Sequence, residues 1–287
     1  MRPKQWLKNV LVFAAPLAAG DLLTPGVLGP SIVAFIAFCL MSSATYLLND
    51  VRDVESDRVH PTKRNRPIAA GELTSSLAIA LAAVLAIIAL ALALWINLSL
   101  AGVLLAYAVF TTSYSLFLKN EPVIELALLA LGFLLRAIAG GVASDLPISQ
   151  WFLIVAGFGS LFMAAGKRYS ELSHAMGESA AAEGWNGNTR RSLAGYTPTY
   201  LRFVWATSAA VTITAYCLWA FEVSVAPSTL PWAVWSVLPF VLAVLRYAVD
   251  VDRGEAEAPE DVVLRDYPLL ILGVVWLVLF GLGALGV

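Results

Sequence analysis

The sequence predicts an all-α integral membrane protein: one bundle of nine transmembrane helices forming a single domain over 1–287. Three observations carry that prediction. Of 287 residues, 60% are hydrophobic and only 13% charged, with a mean hydropathy of +0.79, which lies far outside the range of a soluble globular chain. Apolar runs recur along the chain at the length of about 20 residues that a helix needs to cross a bilayer. Every Lys and Arg except Arg136 falls in alternate connecting segments or at the span ends that border them, and the loops around Asp21, Asn97, Asp145 and Pro227 hold none, as the positive-inside rule requires.

In chain order the predicted spans are 6–20, 28–49, 76–95, 98–118, 122–142, 149–167, 201–222, 231–249 and 267–286. The first is short and interrupted by Pro16, so an interfacial segment with eight crossings is the alternative. Charge placement argues for nine. With the amino terminus inside, Arg2, Lys4 and Lys8 lie on the same side as every other cationic loop. A cleaved signal peptide describes this terminus poorly, because no cleavage signature follows the apolar run. The expected location is the inner (plasma) membrane, crossed many times, with the polar segments facing the cytoplasm. Cys39 and Cys217 fall within spans and read as small buried hydrophobes. Trp6, Trp95, Trp151 and Trp232 sit near span ends as an interfacial belt. Nothing points to a nucleic acid, and a homo-oligomer is left open.

Two long polar segments carry the chemistry. The first, 50–75, begins at the end of the second span, where helical spacing places Asn49, Asp50, Asp53 and Asp57 on one face within an arc of about 100°. Three carboxylates so close repel one another in low dielectric and call for a cation. Oxygen-only ligands suit a hard ion such as Mg²⁺, which usually takes one or two carboxylates and completes its shell with water and phosphate. Lys63, Arg64 and Arg66 follow within reach of anything those carboxylates hold; the plainer reading of Lys63 and Arg64 is topology or attraction to anionic lipid. The second segment, 167–200, opens with Lys167, Arg168, Tyr169, Ser170 and Glu171, passes through a flexible Gly-, Ala-, Glu- and Asn-rich stretch from Gly177 to Asn188, and ends with Arg190 and Arg191. A third, 250–266, is acidic, and its Asp250 and Asp252 read as a solvated helix end. Arg136, a cation far from the polar connecting segments at either end of its span, must point into the bundle, toward either a phosphate or a structural partner.

The motif Asn49-Asp50-x-x-Asp53-x-x-x-Asp57 at the end of the second span, followed by Arg66-Pro67-Ile68-Ala69-Ala70-Gly71, resembles the UbiA superfamily of intramembrane prenyltransferases, and the resemblance runs over essentially the whole chain. It implies a UbiA-type bundle around a lateral, lipid-accessible cavity, with Mg²⁺ and a diphosphate held by two Asp-rich motifs under a cytoplasmic cap, here loops 50–75, 167–200 and 250–266. The second motif normally follows the sixth span. This sequence departs there, because Lys167-Arg168-Tyr169-Ser170-Glu171 has no Asp pair at four-residue spacing.

That departure, with the stretches 2–9, 60–64, 199–205 and 245–252, resembles the branch that joins phosphoribosyl diphosphate to a polyprenyl phosphate, releasing diphosphate, in the supply of cell-wall arabinan. The resemblance implies Asp50, Asp53 and Asp57 as Mg²⁺ and diphosphate ligands and Asn49 as a neutral ligand or orienter. Lys63, Arg64, Arg66, Lys167, Arg168 and Arg191 are the implied phosphate contacts, with Tyr169 and Arg136 as further substrate contacts. The extra phosphates of a sugar donor account for cations where the family has acids. A phosphate nucleophile needs no strong general base, in keeping with a chain whose His60 and His174 belong to no recognisable triad. Two rivals stand beside this: a UbiA-type enzyme using a prenyl diphosphate donor and an aromatic or lipid acceptor, which would be expected to have the second Asp-rich site, and a transporter, for which Arg136 and Gly140-Gly141 would be the signs.

Overall fold

The computed structural model describes residues 3–59, 61, 63–181, 193–223, 230–258, 262–263 and 265–284. Among them every regular element is helical. Eight helices among the described residues are long and apolar enough to cross a membrane, so the chain is a multi-pass membrane protein. The chain divides into two compact units, Met1–Pro16 with Leu22–Phe117 and Leu135–Pro147, and Leu17–Asp21 with Leu118–Leu134 and Ile148–Val287.

The first unit is built on α2 (Pro25–Arg52), which starts with Pro25 after Thr24 because proline's fixed φ suits the first helical turn and its missing N–H would go unpaired there anyway. α4 (Ser75–Ile96) packs along it. The buried positions of α4 are Ala78, Ala82, Leu85, Ala89 and Ala93, a stripe of mostly small side chains that lets two backbones approach where lipid supplies no hydrophobic drive. Asn97 separates α4 from α5 (Leu98–Ser113) and serves three helix ends. Its side-chain oxygen accepts the Leu100 N–H at 2.7 Å, and its Nδ2 donates to the carbonyls of Val142 and Ala143 at the end of α6 (Ile124–Ala143). Those are terminal groups that a buried helix end leaves unsatisfied.

The amino-terminal segment differs from the expected ninth helix. Pro3–Phe13 is a 3-10 helix, followed by the five-residue α1 (Ala14–Ala18). At about 2.0 Å per residue for the first part and about 1.5 Å for the second, it reaches roughly 30 Å, the thickness of a hydrocarbon core. The 3-10 winding thus gives a short segment the reach an α-helix of that length lacks. It is fastened to α2 by Trp6 Nε1 on Ser43 Oγ at 3.2 Å and by Asn9 Nδ2 on Ser42 Oγ at 3.3 Å. Gly140 of α6 is needed here, since a Cβ there would stand 2.1 Å from the Val12 carbonyl. Gly140 therefore has a packing role, which weakens the glycine pair as a sign of a transporter.

In the second unit the expected span at 149–167 is part of a single 32-residue helix, α7 (Gln150–Ala181). At about 1.5 Å per residue it is roughly 48 Å long, well beyond the membrane core, so Lys167 to Ser173 stand on a helix. So do residues 177–181, expected in a flexible loop; 182–192, including Arg190 and Arg191, lie outside the described residues. α8 (Pro198–Val223), α9 (Trp232–Asp252) and α10 (Tyr267–Ala284) complete the unit, α7 packing on α8 and α9 on α10. Gly166 lets α7 meet α9, because a Cβ would stand 2.8 Å from Val251 Cγ2. Farther along, Tyr216 lies among Trp219, Phe240 and Trp276, its hydroxyl paired with Ser236 Oγ and Trp276 Nε1, each at 2.7 Å.

Candidate active site

In the first unit, α2 stops at Arg52, Asp53 takes a non-helical cap conformation, and the one-and-a-half-turn α3 (Val54–Val59) follows. The break is shallow. Asp53 N–H still bonds the Asn49 carbonyl at 2.9 Å and Asp57 N–H the Asp53 carbonyl at 2.8 Å, so the four-residue spacing survives and the acidic face persists across it. Asp50 and Asp57 are buried. Between them lies Arg66, whose Nη1 donates to Asp50 Oδ1 at 3.2 Å and to Asp57 Oδ2 at 2.5 Å. Asp53 Oδ2 accepts from Asn49 Nδ2 at 3.1 Å. Lys63 and Arg64 form the short 3-10 turn just before Arg66, with Arg64 exposed.

Among the described residues no three His, Cys, Asp or Glu side chains converge on one point as metal ligands. Asp50 and Asp57 nevertheless converge on a cationic nitrogen, and Mg²⁺ asks for no more than one or two carboxylates from a protein when water and phosphate oxygens complete its shell. The donor set fits a hard divalent ion in which the Arg66 nitrogen stands in for the cation.

The second unit holds a cluster of another kind. Arg168 is 1% exposed and Glu125, 43 residues earlier on α6, is fully buried. The pair is forked: Nε to Oε1 at 2.7 Å and Nη2 to Oε2 at 2.7 Å, while Nη1 reaches Glu171 Oε2 at 2.5 Å. Lys167 Nζ lies 3.9 Å from the other Glu171 oxygen. The loop leading to Glu125 is held firmly. Val123 adopts φ +69°, a conformation that a β-branched residue resists, and its N–H donates to the Tyr196 hydroxyl at 2.6 Å. Burial, only partly opposed by that hydrogen bond, pushes the Tyr196 phenol up to about 12, so it stays protonated. Tyr169 is buried and its hydroxyl accepts from Arg202 Nη2 at 2.8 Å; Arg202 also reaches Asp252 at 2.9 Å.

The 250–258 stretch docks on α7. Gly254, at φ +80°, turns the chain so that Ala256 N–H reaches Ser170 Oγ at 3.1 Å and Glu257 reaches His174 Nδ1 at 2.9 Å. Asp252 is solvated as expected, whereas Asp250 is buried. The reason is rotation: two residues apart on a helix they point about 200° from each other. Next to this stretch, Asp266 caps α10 through the Leu269 N–H at 3.2 Å and accepts from Arg246 Nε at 2.7 Å. Burial raises this carboxyl, and the hydrogen bonds and charge of its partners outweigh that and hold it below the ordinary carboxylate range.

Arg136 points inward as expected. Its Nε donates to Asn9 Oδ1 at 2.8 Å, its Nη2 to Tyr107 OH at 2.7 Å, and its guanidinium lies 4.5 Å from the Tyr107 ring centroid. The structure thus joins Asp50, Asp57 and Arg66 in one cluster and Lys167, Arg168 and Glu171 in another, and puts Arg136 in a third group with Asn9 and Tyr107. Glu125 and Tyr196 belong to no motif in the sequence. A lone carboxylate at a span end was the one signal for Glu125; Tyr196 gave none.

The UbiA prenyltransferase family matches residues 10–267. A decaprenyl-phosphate phosphoribosyltransferase from Mycobacterium tuberculosis is 48% identical, covering 98% of this chain and 91% of that protein. One from Mycolicibacterium smegmatis is 46% identical over 96% and 88%. Among solved structures, a UbiA homolog from Archaeoglobus fulgidus bound to DMAPP and Mg²⁺ superposes with a TM-score of 0.73 at 16% identity, covering 100% of this chain and 97% of that one.

Proposed function

Because the chain belongs to the UbiA prenyltransferase family, and relatives nearly half identical over almost its full length are decaprenyl-phosphate phosphoribosyltransferases, we propose that it transfers the 5-phosphoribosyl group of phosphoribosyl diphosphate to a polyprenyl phosphate, decaprenyl phosphate being the first choice, and releases diphosphate. The observation that carries this reading is the convergence of Asp50 and Asp57 on one cation position at the end of α2. Asp50 and Asp57 would hold Mg²⁺, with Asp53, oriented by Asn49, as the third member of the set. Bound there, the metal would neutralise charge on the leaving diphosphate. Lys63, Arg64 and Arg66 meet donor phosphates by charge-assisted hydrogen bonds, as does Lys167 in the second cluster.

Arg168 takes a different part. With both faces of its fork on Glu125 and Glu171 it positions the helix that carries Lys167 and Tyr169, and reaches phosphate only through them. Arg191, Arg136 and Tyr169 remain proposed substrate contacts. The acceptor's phosphate oxygen attacks C1 of the ribose as the C1–O bond to diphosphate breaks; a phosphate dianion is a competent nucleophile, and no base need be assigned. The site would face the cytoplasm at the plasma membrane, as the Lys and Arg distribution indicates, under a cap made of loops 50–75, 167–200 and 250–266. The product serves cell-wall arabinan synthesis.

Purified protein given labelled phosphoribosyl diphosphate, a polyprenyl phosphate and Mg²⁺ should yield a labelled lipid and free diphosphate, and chelation should stop it. Turnover of a prenyl diphosphate with no use of the sugar donor would replace this reading by the aromatic or lipid prenyltransferase one.

A further inference from the structure

We propose that Arg66 is an exchangeable cation, which holds Asp50 and Asp57 together until a metal–diphosphate complex arrives and then passes from the carboxylates to the diphosphate. The inference rests on the metal site proposed above. A guanidinium nitrogen lies between one oxygen of Asp50 and one of Asp57, and a divalent ion drawn to those oxygens cannot share the position with it, because like charges repel most strongly where water is scarce. Bare metal must therefore expel Arg66 into solvent. Metal that brings a diphosphate supplies the displaced guanidinium with acceptor oxygens, two of which its planar fork can bind at once.

The backbone is arranged for a side-chain exchange. Arg66 N–H bonds the Lys63 carbonyl at 2.9 Å, Ala70 N–H bonds the Arg66 carbonyl at 2.8 Å, and Pro67 follows directly. The main chain is pinned on both sides. The side chain is 24% exposed, against 12% for Asp50 and 5% for Asp57, so the guanidinium has an open side toward which it can turn while the carboxylates stay in place. The consequence is an order of events: metal and donor diphosphate bind as a unit, each raising the affinity of the other, as linkage requires.

The test is a titration of the full-length purified protein with Mn²⁺, followed by electron paramagnetic resonance, with and without inorganic diphosphate. The parent should bind Mn²⁺ alone weakly, and about tenfold or more tightly once diphosphate is present. Arg66→Gln should bind Mn²⁺ alone about tenfold more tightly than the parent, with a smaller gain from diphosphate. Methylguanidinium ion added to Arg66→Ala should compete with Mn²⁺. If the variants do not survive purification the parent decides alone, and equal Mn²⁺ affinity with and without diphosphate overturns the exchange. Equal Mn²⁺ affinity for parent and Arg66→Gln also overturns it while leaving the metal site standing. Failure of the parent to bind Mn²⁺ even with diphosphate removes the metal site and the exchange together.

Discussion

Arg66 and Arg168 each bridge two carboxylates, yet they are held in different ways. Arg66 uses one nitrogen for both acids on a side chain a quarter exposed. Arg168 presents a full fork to Glu125 and a further nitrogen to Glu171, with almost no exposure. A single shared nitrogen near water can be given up to a stronger partner. A forked pair cut off from water cannot, because either half left alone would be a buried, uncompensated charge. Two arginines that look alike in the chain are thus fitted to opposite tasks, one to exchange and one to hold.

The largest expected effect lies on the holding side. Glu125→Ala or Arg168→Ala should destabilise the protein by about 3–5 kcal/mol, whereas replacing both by apolar residues of similar volume should recover most of that loss. Thermal unfolding of the four proteins in detergent measures it, and additive losses would show that the pair is not coupled. On the exchanging side, Asp50→Ala or Asp57→Ala should leave a folded protein but lower kcat by about two orders of magnitude or more. Circular dichroism beside the transfer assay checks both halves. Folding damage from Asp57→Ala as great as from Glu125→Ala would erase the contrast.

Between these extremes stands Lys167, about one-third exposed and 3.9 Å from Glu171. Lys167→Ala should raise the donor KM roughly ten- to a hundredfold with little effect on Mn²⁺ binding. A donor lacking its 5-phosphate should be poor for the parent and almost equally poor for the mutant, since two changes that delete one contact do not add. Full additivity would assign Lys167 to the lipid phosphate or to topology.

The smallest effect concerns Asp266. Its carboxyl is held below the ordinary range in the folded protein, so its ion pair with Arg246 contributes stability above the unfolded value of about 4 and loses it as pH falls through the folded one. The thermal midpoint of Asp266→Asn should trail the parent's at neutral pH and meet it in acid; a gap that widens in acid would reverse the sign.

How much of this was readable in advance differs from residue to residue. The end of α2 was readable because its signal is local: Asn49, Asp50, Asp53 and Asp57 follow one helical spacing, and that spacing outlasts the break at Asp53. The length of α7 was not, because hydropathy marks where a helix leaves lipid and says nothing of whether it continues in water; Lys167 to Ser173 end the apolar run without ending the helix. The amino-terminal segment was expected as one apolar span and is instead a 3-10 helix followed by a five-residue α-helix. Its 3-10 winding, tighter than an α-helix but longer in rise per residue, is seen only once it is packed against α2 and α6 at Asn9 and Gly140.

The sequence by itself determined the solvent, the helical class, the separation of cations from the loops opposite, and the acidic motif, because each depends on composition or on spacing within one helix. The tertiary structure alone decided which charge meets which. Arg168 finds Glu125 across 43 residues, Arg66 returns 16 residues to Asp50, and Arg136 settles between Asn9 and Tyr107. Each pairing depends on how segments far apart in the chain are set against one another. A rotation of about 100° separates Lys167 from Arg168, and that one step is the difference between a cation near the surface and a cation sealed in the core.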